Sequence, residues 1–489
     1  MQKFLNKYFW AIVIILFIVS RLATWFYPFD SDHWIFYYVG KIWAQGGALY
    51  VDAWDHKPPL IFAFNGLMSL VFGGNIIWHR IVFTILAILD TFLFWKLLKI
   101  IVPKLNLRND NLAAKIGLIL YVIWRNLSQF TSSGNNTENL GIIFAILTYL
   151  TFFQFKDNKK LLSLFISGIC LSVLFFLKGN FILLSLPIFI DFIWSNYKNI
   201  KKIFIYGLTF VAPLVIQGLL WIFYFKSHGT LHDFWVASFE FSAKYSRSAW
   251  QGEISPRGTF LLILSPLIVN LFFFGGKFLL DIKSNIKNYA YRFLFFILLA
   301  SLVLGFALGT FYPYYFLILL PGFIVIFIYS LDKFLESKLK IIAIALLILT
   351  TLISLGFSYK QLYNSFSGSV RAQLDEYKSI ASYIDEKSAP SDKIIFYDYG
   401  AVMYRLTERG SASRFVSASV LLEDYKNNFG FDFNGIFIAE IQKNKPKYLV
   451  MPKDPENIYY QNKTTVDFFK SNFTVEKTFS DYLVLKYIH

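Results

Sequence analysis

Long apolar runs separated by short polar stretches dominate the first 357 residues. A helix rises 1.5 Å per residue, so about 20 apolar residues cross the hydrocarbon core of a bilayer. By that measure the chain predicts spans at roughly 8–27, 76–98, 112–128, 138–155, 161–177, 180–196, 203–225, 258–275, 291–310, 314–331 and 341–357, about eleven in all. From about residue 370 the pattern changes. DEYKSIASYIDEKSAPSDKIIFYDYG (375–400) reads as a helix, a Ser-Ala-Pro-Ser turn, then a β-branched and aromatic strand ending at Gly400. AVMYRLTERG (401–410) reads as a helix with a glycine stop, KYLVMP (447–452) as a second buried strand and YLVLKYI (482–488) as a third. Alternating helix and strand predicts a small α/β domain of about 120 residues. The expected division is therefore a membrane module over 1–357 and an α/β domain over 358–489.

The basic residues give these spans a direction. Lys3 and Lys7, then Lys96, Lys99, Lys104 and Arg108, then Lys156, Lys159 and Lys160, then Lys198, Lys201 and Lys202 fall in alternate loops. Lys277, Lys283, Lys287 and Arg292 continue the parity, as do Lys333, Lys338 and Lys340. Basic loops stay inside. Segments 28–75, 129–137, about 226–257 and everything after 357 are then expected outside. The N-terminus has the apolar stretch of a signal peptide without a small-residue cleavage site, so it reads as an uncleaved first helix.

Composition agrees with this reading. Of 489 residues, 56% are hydrophobic and 20% aromatic, above the 45–50% apolar share typical of soluble domains. A net charge of +16 would suggest nucleic acid in a soluble protein; here it fits basic loops against anionic lipid, and no nucleic-acid partner is expected. The single cysteine, Cys170, lies in an apolar run, which excludes a disulfide within the chain.

One stretch does not fit a membrane of plain helices. PFDSDHWIFYYVGKIWAQGGALYVDAWDHKPPL (28–60) sets acids, histidines and a lysine among tryptophans and tyrosines. That mixture predicts a structured segment on the membrane surface and a candidate catalytic loop; LHDFWVASFEFSAKYSRSAWQGE (231–253) reads as a second surface element. Polar residues at other span ends fall on the same face. Arg80 follows His79 at the second span, Glu138 follows Asn136 at the fourth and Lys178 closes the fifth. Arg257 precedes the eighth span, and Tyr312 and Tyr314 precede the tenth. Ionisable groups at membrane depth cost several kcal/mol unless paired or hydrated, so together they imply a polar cavity.

DHWIFYYVG (32–40) and GGALYVDAWDHKPPL (46–60) resemble the first-loop signature of GT-C glycosyltransferases, in the group of the protein O-mannosyltransferases and the lipid A aminoarabinose transferases. NNTENL (135–140), FLKGNFILLSLP (176–187), FYPYYFLILLPGF (311–323) and SASRF (411–415) follow in the family's order. There are two departures: the family's Asp-Glu pair is Asp32-His33 here, and Tyr314 stands where a Y-P-H-Y histidine is usual. The resemblance implies an α-helical polytopic fold of GT-C type with an extracytoplasmic α/β domain. It also implies transfer of a sugar from a polyprenyl-phosphate donor to a glycan, lipid or protein acceptor. Asp32 would be the general base, with Asp55 in support. Lys178, Lys57, Arg80 and Arg257 would be the cations facing the donor phosphate, with His56, Glu138, Tyr312 and Tyr314 lining the substrate site.

Each assignment has a structural counterpart. Asp32 could cap the helix that follows it, as could Asp30 or Ser31. Asp55 could orient Lys57, Glu138 could cap its own span, and Lys178 could snorkel. Pro58-Pro59 suits the start of the second span. A divalent metal would draw on His56 and His79, although a satisfied interfacial histidine fits both better. The alternative function is a transporter or flippase of lipid-linked sugars, which would concentrate charge at mid-membrane in paired, related halves; neither feature stands out in the sequence.

Overall fold

A computed structural model describes residues 2–132, 134–251, 265–308 and 313–488. Helical segments stand at each of the eleven expected positions, with the start of the eighth and the end of the ninth outside the described residues. Among the described residues seven helical stretches are long and apolar enough to cross a membrane, from Asn6–Trp25 to Lys340–Lys387. Leu161–Leu177, Leu267–Leu280 and Tyr289–Ser301 are shorter apolar helices.

The chain gathers into two compact units. The first takes Met1–Tyr27, Arg80–Trp221 and Ala249–Leu362; the second takes Pro28–His79, Ile222–Ser248 and Tyr363–His489. In the first unit, α1 (Gln2–Trp25) and α5 (Asp110–Arg125) pack together, as do helices Thr137–Asn158 and Leu161–Leu177. Leu320–Phe334 is buried almost all round, which suits a helix without a polar stripe. Its core runs through Phe94, Tyr121, Trp124, Phe152, Phe293 and Phe327.

The second unit carries the first loop, which is helical. Asp30 caps α2 (Ser31–Ala44), its carboxylate accepting from the His33 amide at 3.1 Å. Pro59 precedes α3 (Leu60–Phe72). The proline pair therefore opens a 13-residue helix too short to span, and the second span is the later α4 (Ile76–Ile101). Two glycines allow α2 and α3 to touch. A Cβ on Gly40 would lie 2.6 Å from the Gly66 nitrogen and the Phe62 oxygen, and one on Gly66 would lie 2.8 Å from the Gly40 oxygen. Close backbone approach through small residues is a membrane-helix device.

The C-terminal part of this unit is a five-stranded sheet, β1 (Lys393–Phe396), β2 (Gly410–Ser411), β3 (Tyr448–Pro452), β4 (Phe473–Thr478) and β5 (Tyr482–Tyr487), in the order β2-β1-β3-β5-β4. β1 is parallel to both β2 and β3, and β5 closes antiparallel on β3 and β4. Three strands match the expected positions. β2 is only two residues long, and β4 is exposed at every residue but its first, so neither carries the apolar run that betrays a buried strand. Helix Val402–Thr407 ends at Glu408 in the left-handed region, two residues before the glycine expected to stop it.

Candidate active site

Asp30, not Asp32, is the cap of α2. Asp32 sits half-buried in the first turn of α2, where its Oδ1 accepts a hydrogen bond from the Tyr399 hydroxyl at 3.1 Å. Burial, helped by the charges of Asp30 and Asp55, pushes its carboxyl up to about 6; Lys57 and the Tyr399 hydrogen bond pull the other way. A carboxylate of that affinity accepts a proton near neutral pH.

Asp55, His56 and Lys57 form one cluster in the same unit. Asp55 is buried; its Oδ1 accepts from the Lys57 amide at 3.1 Å and lies 4.0 Å from the Lys57 ammonium. Lys57 Nζ donates to His56 Nε2 at 2.7 Å, which assigns the His56 proton to Nδ1, 3.7 Å from Asp55 Oδ2. The backbone is pinned as well: Tyr50 donates to the Lys57 carbonyl, and Ser242, from the second surface element, donates to that of His56.

His33, the departure from the family pattern, is fully buried. Its ring stacks on Phe29 with centroids 3.7 Å apart. His79 Nε2 must donate to the Gly73 carbonyl at 2.9 Å, so its Nδ1 accepts from His33 Nε2 at 3.3 Å. These contacts commit both His79 nitrogens, and no group of three or more His, Cys, Asp or Glu stands together as a metal cage among the described residues.

The first unit holds the other predicted residues. Glu138, in the first turn of Thr137–Asn158, pairs with Lys178 at 2.6 Å, and the Lys178 ammonium lies 4.0 Å above the Tyr315 ring. Three of the sequence motifs thus meet, but through Tyr315; Tyr314 stacks edge-on against it at 4.5 Å. Arg80 donates to the carbonyls of Tyr27 and Thr24 at the end of α1, where a cation suits the helix dipole. Arg257 and Tyr312 lie outside the described residues.

Two elements were missed by the sequence reading. Asp90, inside α4, is fully buried and pairs with Arg125 Nε at 2.8 Å. Tyr121 donates to the same carboxylate, and Arg125 also donates to Thr131 and Asn139. Charged residues within apolar runs were the available signal. The other is Tyr399, whose only mark was its place after a strand. SASRF does leave a visible trace: Ser411 N donates to Tyr38, the Arg414 carbonyl accepts from Trp54 N at 2.9 Å, and Phe415 packs on the Trp54 ring.

The family described as dolichyl-phosphate-mannose-protein mannosyltransferase matches residues 56–221. Among solved structures, apo ArnT from Cupriavidus metallidurans superposes with a TM-score of 0.62 at 9% identity, covering 98% of each chain. The chain has the fold of ArnT. ArnT bound to undecaprenyl phosphate matches at a TM-score of 0.56 and 9% identity, again over 98% of both chains. The likeness extends to the archaeal oligosaccharyltransferase AglB of Archaeoglobus fulgidus, in complex with an inhibitory peptide and a dolichol-phosphate. There the TM-score is 0.56 and the identity 11%, over 98% of this chain and 74% of that one. No curated protein sequence matches the chain. A polytopic helical membrane protein with a small C-terminal sheet domain is what fold and composition together establish.

Proposed function

We propose that the protein is an integral-membrane glycosyltransferase that moves a hexosyl or pentosyl group from a polyprenyl-phosphate donor to a glycan, lipid or protein acceptor on the outer face of the cytoplasmic membrane. Residues 1–357 would be the catalytic membrane module and 358–489 an extracytoplasmic domain. Two structural relatives, ArnT and AglB, are seen with undecaprenyl phosphate and dolichol-phosphate, and a lipid-linked donor is the one within reach outside the cell.

The observation that carries this reading is Asp32, freed from capping by Asp30 and raised to about 6. Asp32 takes the proton of the acceptor hydroxyl as that oxygen bonds to the anomeric carbon. The bond from the anomeric carbon to the phosphate oxygen breaks, and polyprenyl phosphate departs with the electron pair. The transition state is oxocarbenium-like, so negative charge grows on the phosphate. Lys57 is the first-loop cation suited to meet it, with Asp55 and His56 holding its ammonium. Lys178 is already matched by Glu138, which makes it the weaker candidate for the phosphate.

The transporter reading draws on mid-membrane charge, and Asp90 with Arg125 is such a pair. Their hydrogen bonds to each other and to Tyr121, Thr131 and Asn139 make it a closed structural clamp, which favours the enzyme.

Lipid and glycan profiling of a strain lacking the protein tests this. Accumulation of one polyprenyl-phosphate sugar with loss of one surface glycan is expected, restored by the wild-type gene and not by Asp32→Asn. Restoration by Asp32→Asn would remove Asp32 as the base.

A further inference from the structure

The base sits in the first loop, while the hydroxyl that touches it comes from 367 residues away, on the loop that follows β1. That loop is built for the contact. Gly400 has φ +121°, a conformation that L side chains rarely adopt, and a Cβ there would lie 3.0 Å from the Ser31 Cβ. Both constraints fall on the residue next to Tyr399, so the backbone carrying the phenol is set by glycine on one side. On the other side Asp398 accepts from the Tyr399 amide at 2.7 Å and from the Tyr482 hydroxyl, which itself meets Tyr377 at 2.9 Å. The rest of the sheet domain is fastened to the first loop. Arg405 donates twice to the Gly74 carbonyl, Ser411 N donates to Tyr38, and Trp54 N donates to the Arg414 carbonyl.

We infer that the C-terminal α/β domain is part of the catalytic apparatus, through Tyr399 as a positioning residue that orients the Asp32 carboxylate and holds it ionised. This rests on the reading of Asp32 as the base. A phenol donating to a carboxylate favours the charged form and fixes one of its oxygens, leaving the other free for an acceptor hydroxyl. Among the described residues, the other charged groups that act on Asp32 are Asp30 and Asp55, which oppose ionisation, and Lys57, which supports it. With acids outnumbering the cation, the hydroxyl of Tyr399 is the neutral counterweight. The domain thereby completes the site of a base that the membrane half of the sequence carries.

The test uses the full-length protein in detergent and needs no knowledge of the sugar. Infrared titration identifies the Asp32 carboxyl band as the one that Asp32→Asn removes, with a midpoint near 6. Tyr399→Phe keeps the ring and deletes the donor; since Tyr399 is 49% exposed, the fold should survive, and thermal unfolding checks that. The expected result is an upward shift of the Asp32 midpoint. Glycan output of the complemented strain should fall about tenfold, as for a lost hydrogen bond to a charged group. An unmoved midpoint, or a drop in output without a shift, overturns the role of Tyr399. Full output from Asp32→Asn overturns the base instead, so the two failures are told apart.

Discussion

Charge is handled in opposite ways in the two units. In the first, buried acids are matched: Asp90 to Arg125, Glu138 to Lys178, and Asp191 to both Lys156 and Arg292 at 2.6 and 3.0 Å. In the second, burial pushes the Asp32 carboxyl up to about 6, with Asp30 and Asp55 adding to the rise and Lys57 opposing it. Matched pairs join one helix to another; burial beside like charges raises a carboxyl's proton affinity. The contrast separates ion-paired acids from Asp32 where composition alone cannot.

Four substitutions would break or sharpen that contrast. The largest effect is expected from Asp90→Ala, which strands the Arg125 guanidinium; about 3–5 kcal/mol of stability should be lost, read as a fall in thermal unfolding temperature in detergent. Lys178→Ala leaves Glu138 buried and should cost about 2 kcal/mol. It should also weaken donor use more than acceptor use, and equal effects on both would make the lysine structural. Gly40→Leu strikes the framework of the second unit without touching charge. Overpacking against Gly66 should cost about 1–3 kcal/mol, seen in the same unfolding assay.

The smallest effect has the opposite sign. A carboxyl raised from 3.8 to about 6 binds its proton more tightly in the folded state. Ionised Asp32 therefore erodes stability as pH climbs through that window, and protonation restores it. Asp32→Asn should unfold at the same or a slightly higher temperature than the wild type at pH 7.5, while losing transfer. A clear loss of stability would place Asp32 with the structural charges.

Local pattern carried much of this architecture. GGALYVDAWDHKPPL marks a loop by its polarity between apolar runs, yet α3, which starts at its last residue, was hidden because its 13 mostly apolar residues run on towards the following span. Tyr315 was missed beside Tyr314 because a 3-10 turn, Pro313–Leu319, decides which of adjacent tyrosines faces Lys178.

By itself the sequence determined where apolar helices lie, where helix and strand begin to alternate and which segment is polar between apolar runs. Those properties depend on run length and on alternation over neighbouring residues. Only the tertiary structure decided what each charge meets. Asp30 rather than Asp32 caps α2, Asp90 closes on Arg125, and a tyrosine 367 residues distant reaches the candidate base. A carboxylate's partner depends on atoms within a few ångströms in space, and the spacing of residues along the chain holds no record of it.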